Sequence, residues 1–335
     1  MIIGKPKKIL VSAFIVITIA FVYTKLDKTP SIESVSQDLL DWKSEELLFN
    51  YKGKTLSYHD SGGEFTKVVV LLHGYPTSSF DWHLIWPELK THYRLIAMDM
   101  LGFGFSDKPN GIDYSIAMQT DILESLLKKL NIESINLIAH DYGDNVAQEL
   151  LARNIEKKEE YPLRIESVTL LNGGLFPETH NPTIIQSLFS SPIGALAASF
   201  TNQTLFNKSF NKVFGPNSKP TAQDLINQWY IICHQKGYKI ADKLTHASYD
   251  RKNNRERWVG AIINPQVPVL YMSGQLDPVT GMQTVDRYLE LVPHPNVITL
   301  DEVGHYPQLE NPTEVLKQIK THITKVDSSS NIKHN

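Results

Sequence analysis

The fold is indicated most clearly by residues 135–144, which read Ile-Asn-Leu-Ile-Ala-His-Asp-Tyr-Gly-Asp. An apolar run leads into a small residue, and a glycine follows four positions later, before apolar residues at helical spacing. This order predicts a strand, a sharp turn and a helix, the pattern of a nucleophile elbow. Small residues at Ala139 and Gly143 let the two backbones approach closely and expose the central side chain. That side chain belongs to Asp141.

An aspartate at the elbow indicates attack on a saturated carbon. Free aspartate has a pKa of about 3.9, so it is ionised at neutral pH, whereas a serine needs a histidine to remove its proton. A carboxylate that attacks an ester carbonyl forms a reactive anhydride, but one that displaces a leaving group from carbon forms an alkyl ester that water cleaves. Asp141 therefore predicts epoxides or alkyl halides as substrates. No Gly-x-Ser-x-Gly motif is present, so the usual serine-esterase site is excluded.

Two further candidate catalytic residues follow later strand-like runs. Asp277 lies in Gly-Gln-Leu-Asp-Pro and His305 in Gly-His-Tyr, each after an apolar run. Both positions are expected at the carboxyl edge of a parallel sheet, where ligands bind. We expect His305 to activate water against the ester, while Asp277 fixes its tautomer and stabilises the imidazolium.

The backbone N–H groups of Tyr75 and Tyr142 are candidates for an oxyanion hole. Tyr75 follows His-Gly at the end of an apolar run, and Tyr142 follows the elbow aspartate. The alternative for the first motif is a tight turn that needs glycine and proline. We expect His73 and His140 to be structural neighbours of the site and not catalysts.

Strand-like runs alternate with helical patterns along most of the chain, which predicts an α/β fold with a mostly parallel sheet and helices on both faces. A hairpin precedes these runs, and a helical cap interrupts them. The predicted parts are an N-terminal membrane anchor at residues 1–24, a polar tether at 25–45, an α/β core at 46–175 and 264–325, the cap at 176–263, and a disordered tail at 326–335.

Tyrosines of the cap are candidate proton donors to an epoxide oxygen. These candidates are Tyr230, Tyr238 and Tyr249. The alternative is that the cap aromatics only pack the cap onto the core.

The anchor is predicted from an uncharged, apolar run at residues 9–23 that follows three lysines. The run is slightly short for a spanning helix of about 17–25 residues, but Thr24 and snorkelling lysines extend it. A cleaved signal peptide and a peripheral segment are the alternatives. The lysine distribution weakly favours a lumenal body, and the glycosylation sequons at Asn202 and Asn207 agree with it.

The composition and motifs of the chain argue against several kinds of binding site. The 335-residue chain has a net charge of −3 and one cysteine, Cys233, so neither a nucleic-acid footprint nor an intrachain disulfide is expected. No histidine–cysteine cluster has zinc spacing, and the glycine-rich loop at residues 101–107 lacks the features of a phosphate loop. We predict no cofactor or metal, no identifiable protein partner, and a small apolar or lipid-like substrate.

With these residues placed, the chain resembles the epoxide hydrolase and haloalkane dehalogenase branch of the α/β-hydrolase family over about residues 47–325. The motifs that carry the resemblance are residues 70–82, 102–109, 140–144, 172–180, 257–261 and 305–310. It implies an α/β-hydrolase fold, the Asp141–Asp277–His305 triad and an ester intermediate. Within the branch, the chain is similar to a membrane-associated member of the endoplasmic reticulum.

Two residues depart from the dehalogenase pattern. Tyr142 stands where dehalogenases and many epoxide hydrolases carry tryptophan, and Tyr75 stands where many dehalogenases have asparagine. Those side chains hold the leaving halide, so the departures favour epoxide opening over halide release. A haloalkane dehalogenase-like hydrolase, a lipid-modifying acyltransferase or esterase, and a non-catalytic binding protein remain the alternatives.

Overall fold

The computed structural model describes residues 23–332, and this part of the chain forms one eight-stranded sheet. The strands are β1 (Leu47–Tyr51), β2 (Lys54–Asp60), β3 (Val68–Leu72), β4 (Arg94–Met98), β5 (Ser134–His140), β6 (Arg164–Leu171), β7 (Val269–Gly274) and β8 (Val297–Leu300). Their order in the sheet is β1-β2-β4-β3-β5-β6-β7-β8. Strands β1 and β2 pair antiparallel and all pairs from β4 to β8 are parallel, so the predicted mostly parallel α/β sheet is confirmed.

The α-helices before the cap and those after it belong to the layers around the sheet. The helices before the cap are α1 (Gln37–Ser44), α2 (Trp86–Leu89), α3 (Ile116–Lys129) and α4 (Tyr142–Lys157). The segment between β6 and β7 contains α5 (Ile184–Phe189), α6 (Gly194–Phe200), α7 (Gln203–Val213), α8 (Ala222–Cys233), α9 (Ala241–Leu244), α10 (Ala247–Asn253) and α11 (Arg255–Ile263). The last helices are α12 (Met282–Leu291), α13 (Pro307–Glu310) and α14 (Pro312–Ile332).

Both faces of the sheet are buried. Along β3, Val70 and Leu72 pack into one hydrophobic cluster, whereas Val69 and Leu71 pack into a second cluster on the opposite face. All four side chains are fully buried. A parallel strand covered on both sides reads as a continuous apolar run, which is why the sequence reveals β3 so clearly.

The parallel register brings five loops to one edge of the sheet. Leu72 pairs with Ala139 across β3 and β5, and His140 pairs with Leu171 across β5 and β6. Strands β7 and β8 end together, with Gly274 opposite Leu300. The residues that follow β3, β5, β6, β7 and β8 therefore lie along the same carboxyl edge.

The predicted tether at residues 25–45 is wrong, because this segment is folded onto the protein. Ser36 caps helix α1 by accepting from the backbone N–H of Leu39. Leu39 and Trp42 lie on one face of α1 and are buried, and the Trp42 ring lies 4.2 Å from that of His59. Two apolar residues three positions apart are enough to dock a short helix in an otherwise polar stretch.

The last helix of the predicted cap packs with the core. Trp258 and Val259 of α11 belong to the hydrophobic cluster that includes α4, and the indole N–H of Trp258 donates to Glu149 Oε2 over 2.7 Å. Helices α7 and α8 contribute to a separate cluster that also includes core residues. Its members are Phe206, Phe210, Val213, Phe214, Leu225, Trp229, Cys233, Tyr238, Val279 and Tyr306.

The predicted disorder of residues 326–335 is wrong for residues 326–332, which continue α14. Val315, Ile319, Ile323 and Val326 form a buried stripe at helical spacing that holds α14 on the core. No glycine or proline interrupts the helix after Val326. Residues 333–335 lie outside the described chain.

The predicted apolar helix at the N-terminus falls almost wholly outside the described residues. Within residues 23–332, no helix combines the length and apolar character needed to cross a bilayer. Tyr23 begins the described chain, and its ring stacks on Phe200 of α6 at 5.9 Å between centroids.

Both predicted glycosylation sequons belong to helix α7. Asn202 caps α7 by accepting from Leu205 N–H over 3.0 Å, and its amide donates to the Tyr23 hydroxyl over 3.1 Å. Asn207 lies inside the helix with its Oδ1 buried. In the folded chain, both asparagine side chains are therefore engaged or partly buried.

Candidate active site

The turn after β5 holds Asp141 in a strained, left-handed backbone conformation, with φ at 47°. A non-glycine residue there costs about 1–3 kcal/mol. The turn is closed by hydrogen bonds from Asp141 N–H to Leu171 O and from Gly143 N–H to His73 O, each 3.1 Å long. A Cβ on Gly143 would lie 2.6 Å from the carbonyl oxygen of Leu72, so only glycine fits. The geometry matches the elbow that the sequence predicts.

His305 lies between two carboxylates. Its Nδ1 is 2.8 Å from Asp277 Oδ2, and its Nε2 is 3.8 Å from Asp141 Oδ1. The three side chains are buried. The first distance is a hydrogen bond that fixes Nδ1 as the protonated nitrogen, whereas the second leaves Nε2 facing the Asp141 carboxylate without a hydrogen bond.

Four hydrogen bonds hold the Asp277 carboxylate. Besides His305, Asn172 Nδ2 and Thr280 Oγ1 donate to Oδ2, and Val279 N–H donates to Oδ1, each over 2.7 Å. Burial raises the pKa of Asp277, but the His305 charge and these donors outweigh it and lower the pKa to about 2. Asp277 is therefore a stable anion beside His305.

The pKa of His305 is raised above its ordinary value. Burial lowers this pKa. The charge and hydrogen bond of Asp277, followed by the charge of Asp141, raise it by more than burial lowers it. The neighbouring carboxylates therefore favour the protonated imidazole at neutral pH. Esterification of Asp141 would remove one of the two charges that hold the proton.

Tyr75 and Tyr142 lie on either side of Asp141. The backbone N–H of Tyr75 donates to Asp141 Oδ2 over 3.0 Å. Tyr142 is the first residue of α4, so its N–H belongs to the helix-start donors that have no partner within the helix. The Tyr306 hydroxyl donates to Tyr75 O over 3.2 Å and so fixes the Tyr75 backbone.

Two cavities meet beside the elbow. An apolar cavity of about 90 Å³ reaches His305 and Tyr306 and is lined by cap residues such as Phe210 and Trp229. A second, more polar cavity of about 270 Å³, called the polar cavity below, reaches Asp141. Tyr75 and Gln186 line both cavities. The two cavities are therefore adjacent at Tyr75, whose backbone N–H contacts Asp141.

A model of the α/β-hydrolase fold matches residues 67–312. The chain belongs to the α/β-hydrolase family. It is similar to the mesoderm-specific transcript protein of Mus musculus, with 42% identity over 288 residues that cover 83% of this chain and 85% of the relative. It is also 34% identical over 252 residues to the putative hydrolase LipZ of Mycobacterium tuberculosis, which covers 75% of this chain and 86% of LipZ.

Solved structures support the same fold for this α/β-hydrolase. A loop variant of the haloalkane dehalogenase DbeA from Bradyrhizobium elkanii superposes with a TM-score of 0.70 at 22% identity, covering 86% of this chain and 99% of the dehalogenase. The epoxide hydrolase CorEH superposes with a TM-score of 0.69 at 19% identity, covering 84% of this chain and 99% of CorEH.

The three cap tyrosines of this α/β-hydrolase have different surroundings. Tyr238 is buried in the apolar cavity, and its hydroxyl has no hydrogen-bond partner within the described chain. Tyr249 lines the polar cavity and is half exposed. Tyr230 lines neither cavity, so its assignment as a proton-donor candidate is wrong. Tyr230 follows Trp229 on α8, and consecutive helical residues point about 100° apart, so only one of them faces the cavity.

The two histidines near the elbow have structural roles. His73 Nδ1–H donates to Gly74 O over 2.9 Å, and its Nε2 accepts from Met100 N–H over 3.0 Å. His140 Nε2–H donates to His305 O over 2.7 Å. Burial lowers the pKa of His140 to about 3, so this ring is neutral and positions the His305 backbone.

Sequence reasoning missed Asn172 and Arg251. Asn172 follows β6 directly, as Asp277 follows β7, and its Oδ1 accepts from Gly274 N–H over 2.9 Å while its amide holds Asp277. The rule that identified Asp277 applies equally to Asn172. Arg251 lines the polar cavity from α10. No motif marks it, because only the folded cap brings it beside the elbow.

Proposed function

We propose that this α/β-hydrolase opens an epoxide on an apolar or lipid-like substrate through an alkyl ester on Asp141. The observation that carries the proposal is the position of His305, whose Nε2 faces Asp141 Oδ1 at 3.8 Å while its Nδ1 is held by Asp277. A histidine in this place is suited to direct water at an ester on the same carboxylate.

The first step forms the ester. Asp141 Oδ2 accepts the Tyr75 N–H, so Oδ1 is the oxygen with a free lone pair for attack. Oδ1 bonds to an epoxide carbon, the carbon–oxygen bond of the ring breaks, and the released oxygen takes a proton from a cap hydroxyl. Tyr238 and Tyr249 are the two candidates for that donor because they line the cavities.

The second step cleaves the ester. Once Asp141 is neutral, His305 gives up its proton to the cap tyrosinate left by the first step, which restores the donor. The neutral His305 then accepts a proton from water, which attacks the Asp141 carboxyl carbon. The negative charge develops on Oδ2, where the N–H groups of Tyr75 and Tyr142 stabilise it. The bond between the carboxyl carbon and the substrate oxygen breaks, and a diol leaves with the proton from His305.

Epoxide opening is favoured over halide release by the position of the Tyr142 hydroxyl. This hydroxyl donates to Tyr114 O over 3.1 Å, so it is turned away from any halide bound at Asp141. An acyltransferase or esterase reaction would need an acyl-aspartate, which is a reactive anhydride. These alternatives, and a binding role without catalysis, are outcomes of the test below.

The test is a substrate screen read by mass spectrometry of the His305→Gln variant. With lipid-like epoxides, we expect an adduct on Asp141 that accumulates because water is no longer activated, and no adduct in the Asp141→Asn control. A single turnover of wild type in heavy-oxygen water should place the label in the Asp141 carboxylate. Label in the diol alone, or adducts only from alkyl halides or acyl esters, would contradict the proposal.

We also propose that residues 9–24 attach the hydrolase to a membrane, and that this membrane is the endoplasmic reticulum. Support comes from the position of Tyr23 against α6, and from apolar side chains on the neighbouring cap surface: Ile184 is 82% exposed and Leu196 59% exposed. Carbonate extraction of cell membranes tests the attachment. Retention of the full chain, and release of a chain that starts at residue 25, is the expected result.

A further inference from the structure

Arg251 presents a buried positive charge to the cavity that contains Asp141. The side chain is 6% exposed, and its Nε and Nη2 donate to Asn145 Oδ1 over 3.3 and 3.1 Å. Gly174 covers the guanidinium so closely that a Cβ there would lie 2.6 Å from Nη1. The guanidinium is thus fixed in orientation by a neutral amide and a backbone wall.

No carboxylate of the described chain lies within ion-pair distance of this charge. Arg251 forms no ion pair within 4.0 Å among residues 23–332. The nearby Asp144 has no hydrogen-bond partner at either carboxylate oxygen within the described chain, and burial raises its pKa well above the usual range. A buried guanidinium stays protonated and is stabilised by pairing with a carboxylate or a phosphate.

The other basic residues that line the polar cavity also favour an anionic ligand. Lys252 lines its rim and His180 its wall, and Asp141 is the one acidic residue among the described lining residues. Burial lowers the pKa of His180 to about 3, which leaves a neutral imidazole able to donate or accept a hydrogen bond. The apolar cavity on the other side of Tyr75 contains neither arginine nor lysine among its described lining residues.

We propose that the polar cavity binds an anionic group of the substrate, a carboxylate or a phosphate, at Arg251. An alkyl chain of the same molecule occupies the apolar cavity, and the reacting carbons lie between them, beside Asp141. The substrate class is therefore an acidic amphiphile. The position of the reacting carbons rests on the proposed function, whereas binding of the anionic group does not.

The test measures binding of three ligands that share one alkyl chain, dodecanoate, dodecyl phosphate and dodecanol, to the full chain below their aggregation concentrations. Wild type should bind at least one anionic ligand roughly ten- to a hundredfold more tightly than the alcohol, as expected for a buried charged hydrogen bond. The anionic ligand with the larger gain in affinity over dodecanol shows whether the site prefers a carboxylate or a phosphate. Equal binding of all three ligands would overturn the proposal.

Variants separate ligand binding from a structural role of Arg251. Arg251→Gln should abolish the preference for the anion and leave dodecanol affinity unchanged, and Arg251→Lys should retain part of the preference. The matched control is Arg255→Gln, since Arg255 pairs with Glu178 over 2.5 Å and lines neither cavity. Equal weakening of all three ligands in Arg251→Gln would indicate support of the fold alone and overturn the proposal. If this variant does not fold, the wild-type ligand series decides the question.

A second readout distinguishes failure of this inference from failure of the proposed function. The kcat/KM of a mid-chain epoxy acid is compared with that of its methyl ester. Wild type should prefer the acid, and Arg251→Gln should lose that preference. If the protein binds the anions but opens no epoxide, the anion site is supported and the proposed reaction is contradicted. If it opens the acid and the ester equally well, the proposed reaction is supported and the anion site is contradicted.

Discussion

His305 faces Asp141 through Nε2 at 3.8 Å and is anchored to Asp277 through Nδ1 at 2.8 Å. Both carboxylates raise the pKa of the same ring, but only Asp141 loses its charge in the proposed reaction. The base that the second step requires is therefore released by the first step. Because of this coupling, the pKa of His305 depends on whether Asp141 is a free carboxylate or an ester.

Removing the charge of Asp141 should lower the pKa of His305. The Asp141→Asn variant imitates the neutral ester, so NMR titration of His305 should give a lower pKa than in wild type. Ester cleavage needs the unprotonated ring, so its single-turnover rate should rise with pH and level off near that lower pKa. An unchanged pKa in the variant, or a cleavage rate that falls as pH rises, would contradict the coupling.

A hydroxyl of the cap should supply the proton for the epoxide oxygen. Replacing the true donor with phenylalanine should reduce the rate of ester formation about 10²–10⁴-fold, the usual contribution of a general acid. Tyr238→Phe and Tyr249→Phe are compared by single-turnover kinetics, with Tyr230→Phe as the control because Tyr230 lines neither cavity. Unchanged rates in both cavity variants would exclude the cap tyrosines as donors.

Helix α1 should contribute to stability and not act as a linker. Leu39 is fully buried, so Leu39→Ala should reduce the free energy of unfolding by about 2–5 kcal/mol. The matched control is Leu48→Ala, because Leu48 is 58% exposed and its loss should change stability by less than about 0.5 kcal/mol. Urea denaturation measures both. Equal midpoints for the two variants would show that α1 is not part of the folded core.

The sequence predicted the site where local rules determine the structure. Strand β5 and the elbow follow from an apolar run and two small residues, and Asp277 and His305 follow from the rule that ligands bind at the carboxyl edge of a parallel sheet. Asn172 meets the same rule. It was missed because an asparagine after a strand has no chemical role until its amide is seen to hold Asp277.

Other features depend on contacts between distant parts of the chain. Residues 25–45 were predicted to be a tether because their average composition is polar, although the buried Leu39 and Trp42 pack α1 against the core. Tyr230 and Tyr238 are equivalent by residue type, and only the fold shows that Tyr238 lines the apolar cavity whereas Tyr230 does not. Arg251 reaches the cavity because α10 folds over the loop that contains Gly174, a contact between residues far apart in sequence.

Gly143 should be indispensable at the elbow, whereas a glycine in an open helical position should not. A methyl group at Gly143 would lie 2.6 Å from Leu72 O and 2.9 Å from His73 O, and backbone atoms cannot move aside as a flexible side chain does. Gly143→Ala should therefore abolish ester formation and lower stability by about 1–3 kcal/mol, as overpacking does. Gly260 of α11 has nothing within 4 Å of its Cβ position, so Gly260→Ala should keep activity and raise stability by roughly 0.5–1 kcal/mol.

Urea denaturation combined with trapping of the ester compares the two variants. Full activity in Gly143→Ala would mean that the strand and helix need not approach closely for Asp141 to react.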